Sequence, residues 1–145
     1  MSNLLLWASV QQLVLADASA VAFSANPVTG DREEVLINAN YGLGEAVVSG
    51  ATTPDTIVVS KSDTAVQQLT IGAKEVMTVR TAEGTEEKST PRMMQDLPAL
   101  SQEQVAEIAK LTIAMEERHG WPVDLECALK GEELFLLQCR PITTL

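Results

Sequence analysis

Aromatic side chains are scarce in this sequence: two Trp, one Tyr and two Phe among 145 residues, 3% in all. A core must therefore be assembled from Val, Leu, Ile, Ala and Met. Histidine is nearly absent as well. The single His119 excludes a histidine-rich metal site and paired-histidine catalysis within the chain. Two cysteines are too few to staple a scaffold, and a chain of this length folds without a disulfide. Cys127 and Cys139 therefore read as reduced thiols of a cytoplasmic protein. Positive charge is also in short supply, with ten Lys plus Arg against twenty Asp plus Glu and a net charge of −10. That balance argues against partners such as nucleic acid or an anionic membrane, which need clustered cations. It leaves room for a small local basic site for phosphate. No run approaches the roughly 20 apolar residues of a spanning helix. The opening MSNLLLWASV, followed by Ala18-Ser19-Ala20, imitates a secretory leader. Against that reading, no basic residue precedes Arg32, and Gln11, Gln12 and Asp17 interrupt the apolar run.

Hydrophobic residues make up 46% of the chain and charged residues 21%, the balance of an ordinary globular domain. Residues 5–15 are apolar and partly β-branched and read as a buried strand, and residues 20–25 as a second. Turn residues at 26–31 predict a hairpin into a strand over 35–40. Glu45 to Ser49 can form a short helix closed by Gly50. Strands are expected at 56–60 and 67–71, and a charged hairpin around Ala82-Glu83-Gly84. Residues 88–100, with Pro91 and Pro98, read as a surface connection, and the Met93-Met94 pair as gap-filling core. Ser101 and Gln104 have capping-box spacing ahead of a helix over about 101–119, with Val105, Ile108, Ala109, Thr112 and Met115 on one face and Gly120 as the stop. His119 falls in the last turn, where an imidazolium favours the helix dipole.

The C-terminal segment carries a period-2 pattern. Val123, Leu125, Cys127 and Leu129 alternate with Asp124, Glu126 and Ala128; Phe135, Leu137 and Cys139 alternate with Leu136, Gln138 and Arg140. A hairpin with the three-residue loop Gly131-Glu132-Glu133 sets Glu126 opposite Gln138 and Asp124 opposite Arg140. A carboxylate beside an amide oxygen is a hard-oxygen pair suited to Mg²⁺, which takes one or two such ligands plus phosphate oxygens. A guanidinium two residues beyond presents a planar fork to phosphate. The same pattern also suits a solvated sheet face with a cross-strand Asp-Arg pair, and spacing alone leaves both readings open. The GLGE run at 42–45 matches neither a Walker A loop nor a dinucleotide fingerprint. It reads more simply as a strand-to-helix turn that only glycine fits.

An ordered series of segments carries a resemblance: V-Q-Q-L-V at 10–14, F-S-A-N-P-V-T-G-D at 23–31, Y-G-L-G-E-A-V-V-S-G at 41–50, T-P-D at 53–55, P-V-D-L-E at 122–126 and L-L-Q-C-R-P at 136–141. Together they resemble the ATP-binding domain shared by phosphoenolpyruvate synthase, pyruvate phosphate dikinase and rifampicin phosphotransferase. The resemblance implies an α+β, ATP-grasp-type half-domain with a mixed, largely antiparallel sheet, occupying 1–145 as one domain. It implies that Glu126 and Gln138 hold Mg²⁺ and the phosphates of ATP, that Arg140 contacts phosphate and acts in catalysis, and that Gln11, or Gln12 in a shifted alignment, lies near the adenine or ribose.

The family's first half, with its lysine, arginine and glycine-rich loop, has no counterpart before Val10, and a phosphohistidine domain is also absent. The expectation is therefore the C-terminal half of an ATP-binding domain, inactive alone, which works with a missing N-terminal half and a phosphohistidine domain. In the whole enzyme, ATP would phosphorylate a histidine that passes the group to pyruvate or another small acceptor. The rival is a non-catalytic half-domain that binds nucleotide weakly or assembles with a partner. An apolar patch near residues 4–14 would encourage self-association.

Overall fold

The computed structural model describes residues 11–145. Its strands are β1 (Ala18–Phe23), β2 (Glu34–Tyr41), β3 (Asp55–Ser60), β4 (Val66–Thr70), β5 (Val76–Thr81), β6 (Gly84–Ser89), β7 (Val123–Lys130) and β8 (Glu133–Pro141). Its helices are α1 (Glu45–Ser49), α2 (Arg92–Gln95) and α3 (Gln102–His119). Six strands form one sheet in the order β4-β3-β2-β1-β7-β8, and β5 and β6 form a separate hairpin. Every named strand pair is antiparallel. The architecture is α+β, with one long helix.

Alternation along the strands divides the sheet into two faces. Ala18, Ala20 and Ala22 of the central β1 point to one side with Ile37, Ile57 and Leu125, and α3 closes that side with Val105, Ile108 and Ala109. Small alanines at the centre let the helix approach closely, and flanking Ile and Leu fill the remaining volume. Each fully buried Ile or Leu contributes roughly 1.5–3 kcal/mol. The α3 start is the expected capping box: Ser101 Oγ accepts from Gln104 N, and the Gln104 side chain accepts from Ser101 N. Gly120 ends the helix in the left-handed region at φ +77°. His119 Nδ1 lies 2.9 Å from the Met115 carbonyl, and its ring meets Trp121 edge-on. This is a helix-end role, as its position predicts.

Several expectations need correction. Residues 11–15 are not a buried strand: they have no regular structure, and Leu13 and Leu15 are each 48% exposed. The rest of that segment, residues 5–10, and most of the 4–14 patch lie outside the described residues. Leu13 lines a cleft rather than the core, because β8 and not this segment forms that edge of the sheet. The connection at 88–100 contains the one-turn helix α2, on which Met93 is exposed; the turn buries none of its side chains, so Met93 fills no core gap. The Ala18-Ser19-Ala20 triplet that imitates a cleavage site is buried in the central strand.

The β7–β8 hairpin has the predicted pairing at its open end, with Asp124 opposite Arg140, Leu125 opposite Cys139 and Glu126 opposite Gln138. Its loop does not. Lys130 pairs with Glu133, so the turn is the two residues Gly131-Glu132, with Gly131 at φ +60°. A bulge between Glu126 and Cys127 reconciles the two, since the pairing steps from Gln138 to Leu136 and leaves Leu137 extra. As a consequence Phe135 and Leu137 leave the helix side, where Leu134 takes their place against the core.

Cys127 is buried and Cys139 partly so, and both are free. Burial, then the neighbouring Cys139 thiol and Glu126 carboxylate, push the Cys127 thiol up to about 12. Burial, then Asp124, raise Cys139 as well. Only thiolate reacts with iodoacetamide, so the folded chain at neutral pH should take up label slowly and at Cys139 first. Peptide mass mapping should find Cys127 labelled only after unfolding; equal native labelling of both thiols would contradict this packing.

Candidate functional site

The face of the sheet opposite α3 carries the polar constellation. Ser19 pairs with Asn40 on one side and Ala128 on the other, and Val21 pairs with Asn38 and Glu126. Alternation then places Asp124, Glu126, Gln138 and Arg140 together on this face. Glu126 is half-buried and Gln138 exposed. Arg140 Nε donates to Asp124 Oδ1 at 3.2 Å, and the arginine side chain remains 57% exposed. Its remaining guanidinium N–H groups stay open to an incoming anion.

A cleft of about 690 Å³ lies over this face. Ser19, Glu126, Ala128 and Leu137 form its floor, the Leu43–Ser49 segment one wall, and residues 11–14 the other. Gln11 and Gln12 both line it, so the alternative between them stays open. The bulge that displaces Leu137 from the helix side is what delivers its side chain to the cleft. A smaller groove of about 210 Å³ adjoins, lined by Val21, Asn38, Val47, Glu126 and Arg140 among others. Glu126 borders both spaces. Arg140 reaches the groove but not the cleft, and Gln138 sits beside Glu126 in the sheet without lining either space.

Glu45 and Glu87 also line the cleft, and pattern reading did not single them out. Glu45 belongs to the GLGE turn and accepts from Thr85 Oγ1 at 3.4 Å. Glu87 comes from the β5–β6 hairpin, in a run of charges that looks like any solvated strand. Among the described residues, three carboxylates thus border the cleft, and no lysine or arginine lines it. The GLGE run is the strand-to-helix turn expected of it. Gly42 has φ +74°, and a Cβ there would overlap the Thr78 carbonyl oxygen, which receives the Leu43 N–H at 2.8 Å.

The donor set suits a hard cation shared with a ligand rather than a complete protein cage. No group of three or more His, Cys, Asp or Glu side chains capable of holding a metal occurs among the described residues. One carboxylate and one amide oxygen, Glu126 and Gln138, face each other across the hairpin. Such a pair leaves most of an octahedral Mg²⁺ shell to phosphate oxygens and water. Among the described residues no helix is long and apolar enough to cross a membrane.

The whole chain, residues 1–145, matches the family model of the pyruvate phosphate dikinase AMP/ATP-binding domain. The chain belongs to this family. It is 49% identical over 136 residues to the uncharacterized phosphotransferase YvkC of Bacillus subtilis, covering 94% of this chain and 16% of the relative. It is 43% identical over 154 residues to the phosphoenolpyruvate synthase of Pyrococcus furiosus, covering 99% and 19%. It is 37% identical over 136 residues to the rifampicin phosphotransferase of Streptomyces sviceus, covering 94% and 16%. The chain therefore spans a fifth or less of the length of these curated relatives. Family membership makes the cleft the candidate nucleotide site.

Proposed function

We propose that the cleft and the adjoining groove form the adenine-nucleotide site of an ATP-grasp-type domain. In this reading residues 1–145 are one domain, the second half of the ATP-binding region of a phosphoenolpyruvate synthase-like phosphotransferase. The observation that carries it is the position of Glu126, which borders an apolar cleft on one side and the groove containing Arg140 on the other. A nucleotide has the same polarity: a flat, largely apolar base with polar edges, joined to a polyanion.

Leu13, Leu43, Val48 and Leu137 supply apolar contact for a base, and Gln11 or Gln12 a hydrogen bond to its edge or to the ribose. Glu126 and Gln138 would hold Mg²⁺, which when bound neutralises and orients the phosphates. Arg140 would donate to non-bridging phosphate oxygens, where charge spreads as a phosphoryl group moves. Three carboxylates around the cleft would repel a bare polyanion, which supports a role for divalent cation in this reading. The phosphoryl group would pass to a histidine on another domain, and from there to pyruvate or another small acceptor. Both acceptors lie outside this chain.

The absence of lysine or arginine from the cleft lining favours a second, narrower reading of the isolated chain: it binds nucleotide weakly until the complementary half supplies cations. Calorimetric titration separates the cases. Mg-ATP should bind the chain weakly, and at least about tenfold more tightly once the N-terminal half from a longer family member is added. ATP hydrolysis or transfer should appear only in the reconstituted pair. Absence of binding in both arrangements would overturn the proposal.

A further inference from the structure

The most deeply buried charges among the described residues lie outside the cleft lining. Lys74 and Asp55 have side chains 0% and 1% exposed and are joined at 2.6 Å. Lys74 Nζ uses all three of its N–H donors, on Asp55 Oδ1, the Gly72 carbonyl at 3.0 Å and the Gln95 carbonyl at 3.0 Å. Asp55 accepts in addition from Gly72 N at 2.9 Å and from Ala99 N at 2.7 Å. The Tyr41 ring lies under the ammonium, 5.9 Å from its centroid, and the Tyr41 hydroxyl donates to the Met94 carbonyl. One ion pair thus ties together the end of β2, the start of β3, the segment at 72–75 and the α2 connection.

Two features show that the segment at 72–75 is held in place rather than resting there. Lys74 has φ +44°, a backbone conformation a lysine adopts only when its surroundings compensate. Glu75 is fixed independently, accepting from Thr53 N at 2.8 Å and from the Thr52 and Thr53 hydroxyls, which hold its carboxyl down to about 2. This segment runs straight into β5. There Val76 O accepts from Asn40 Nδ2 and Thr78 O from Leu43 N. Leu43 and the hairpin residue Glu87 both line the cleft.

We propose that the buried Asp55–Lys74 pair positions one wall of the cleft, locking residues 72–75 and through them the β5–β6 hairpin and the Leu43 turn. Asp55 and Lys74 touch no part of the cleft and act through these segments. The inference rests on the nucleotide reading of the cleft only for its effect on binding; the mechanical part stands apart from it.

Two variants of the full chain test it: Lys74→Met, which leaves Asp55 buried and unpaired, and the double replacement Asp55→Asn with Lys74→Met, which removes both charges. The single variant should melt about 10 °C lower, and the double should recover most of that loss, because neutral replacement of a buried pair is well tolerated. Neither variant restores the tether to Gly72 O and Gln95 O. Amide exchange at Leu43 and along β5–β6 should therefore rise at least about tenfold in both, and in the double variant α3 and β7 should stay close to wild type. Mg-ATP affinity of the reconstituted pair should fall about tenfold in both. If Lys74→Met does not fold, the double variant alone decides. A double variant with wild-type protection at Leu43 and the hairpin would reduce the pair to a stability element and overturn the proposal. Wild-type protein that fails to bind Mg-ATP would remove the nucleotide reading, while the exchange result would still decide whether the pair holds the wall.

Discussion

Glu126→Ala and Arg140→Ala, each introduced into a full-length family enzyme carrying this domain, should reduce ATP-dependent phosphorylation of the acceptor histidine by at least about a hundredfold. Both side chains project from the same face of the β7–β8 hairpin, away from the α3 core, so neither contributes to core packing. Melting temperature and circular dichroism should therefore stay close to wild type. The two losses should differ in kind. On the proposed assignment the metal would lose a carboxylate ligand without Glu126, so raising Mg²⁺ should recover part of the rate. On the same assignment the phosphate would lose its guanidinium without Arg140, and no concentration of Mg²⁺ should replace it. Asp124 accepts from Arg140 Nε and would be left without that partner at a half-buried position, a cost of order 1 kcal/mol in stability. Wild-type phosphorylation rates in either variant would contradict the assignment. The readout is incorporation of labelled phosphate into the protein, which isolates the first transfer from any later acceptor step.

Gly72→Ala should be strongly destabilising for a single added methyl. A Cβ at Gly72 would overlap the carbonyl oxygens of Thr53 and Pro54, which are backbone atoms with no rotamer to change. The same glycine sits inside the Asp55–Lys74 node, donating its N–H to Asp55 while its carbonyl accepts from Lys74. Displacing it would open two hydrogen bonds to buried charged groups. The expected loss is about 3 kcal/mol, or roughly 10 °C in a thermal melt. Gly30→Ala supplies the comparison. Gly30 has φ +80° but nothing within reach of an added Cβ, so its cost is confined to backbone strain, about 1 kcal/mol. Equal melting temperatures for the two variants would show that the close approach at Gly72 does not constrain the fold.

The site face was legible in the sequence because a period-2 pattern fixes which side chains share a side of a sheet. The charge alternation of 123–129 and 135–140 sufficed to place Asp124, Glu126, Gln138 and Arg140 together and to pair them correctly. The loop was misread because a bulge is invisible to alternation. In Leu134-Phe135-Leu136-Leu137 every register is apolar, so nothing in the pattern marks where one residue is skipped. The helix over 101–119 was legible from its cap, its apolar stripe and its terminal glycine, three independent signals that agree. Residues 11–15 misled because an apolar stretch reads the same whether it fills a core or lines a cleft.

The buried pair could not be read at all. Asp55 stands in the T-P-D segment and Lys74 in an unremarkable G-A-K-E run. Charged side chains are ordinarily placed at the surface. Only the fold brings these two positions, 19 residues apart, into contact with both sealed from water. Glu87 was hidden for a related reason, since one of three successive charged residues in β6 faces the cleft only because the hairpin docks where it does.

The most direct test of the central claim is paramagnetic broadening by Mn²⁺, substituted for Mg²⁺, in the NMR spectrum of the reconstituted ATP-binding domain with ATP. The Gln138 side-chain amide and the Glu126 backbone resonance should broaden beyond detection only when Mn²⁺ and nucleotide are both present, while resonances of α3 remain sharp. Broadening centred elsewhere, or an unaffected Gln138 amide in a domain shown by titration to hold Mn-ATP, would contradict the claim that this hairpin face receives the metal and its nucleotide.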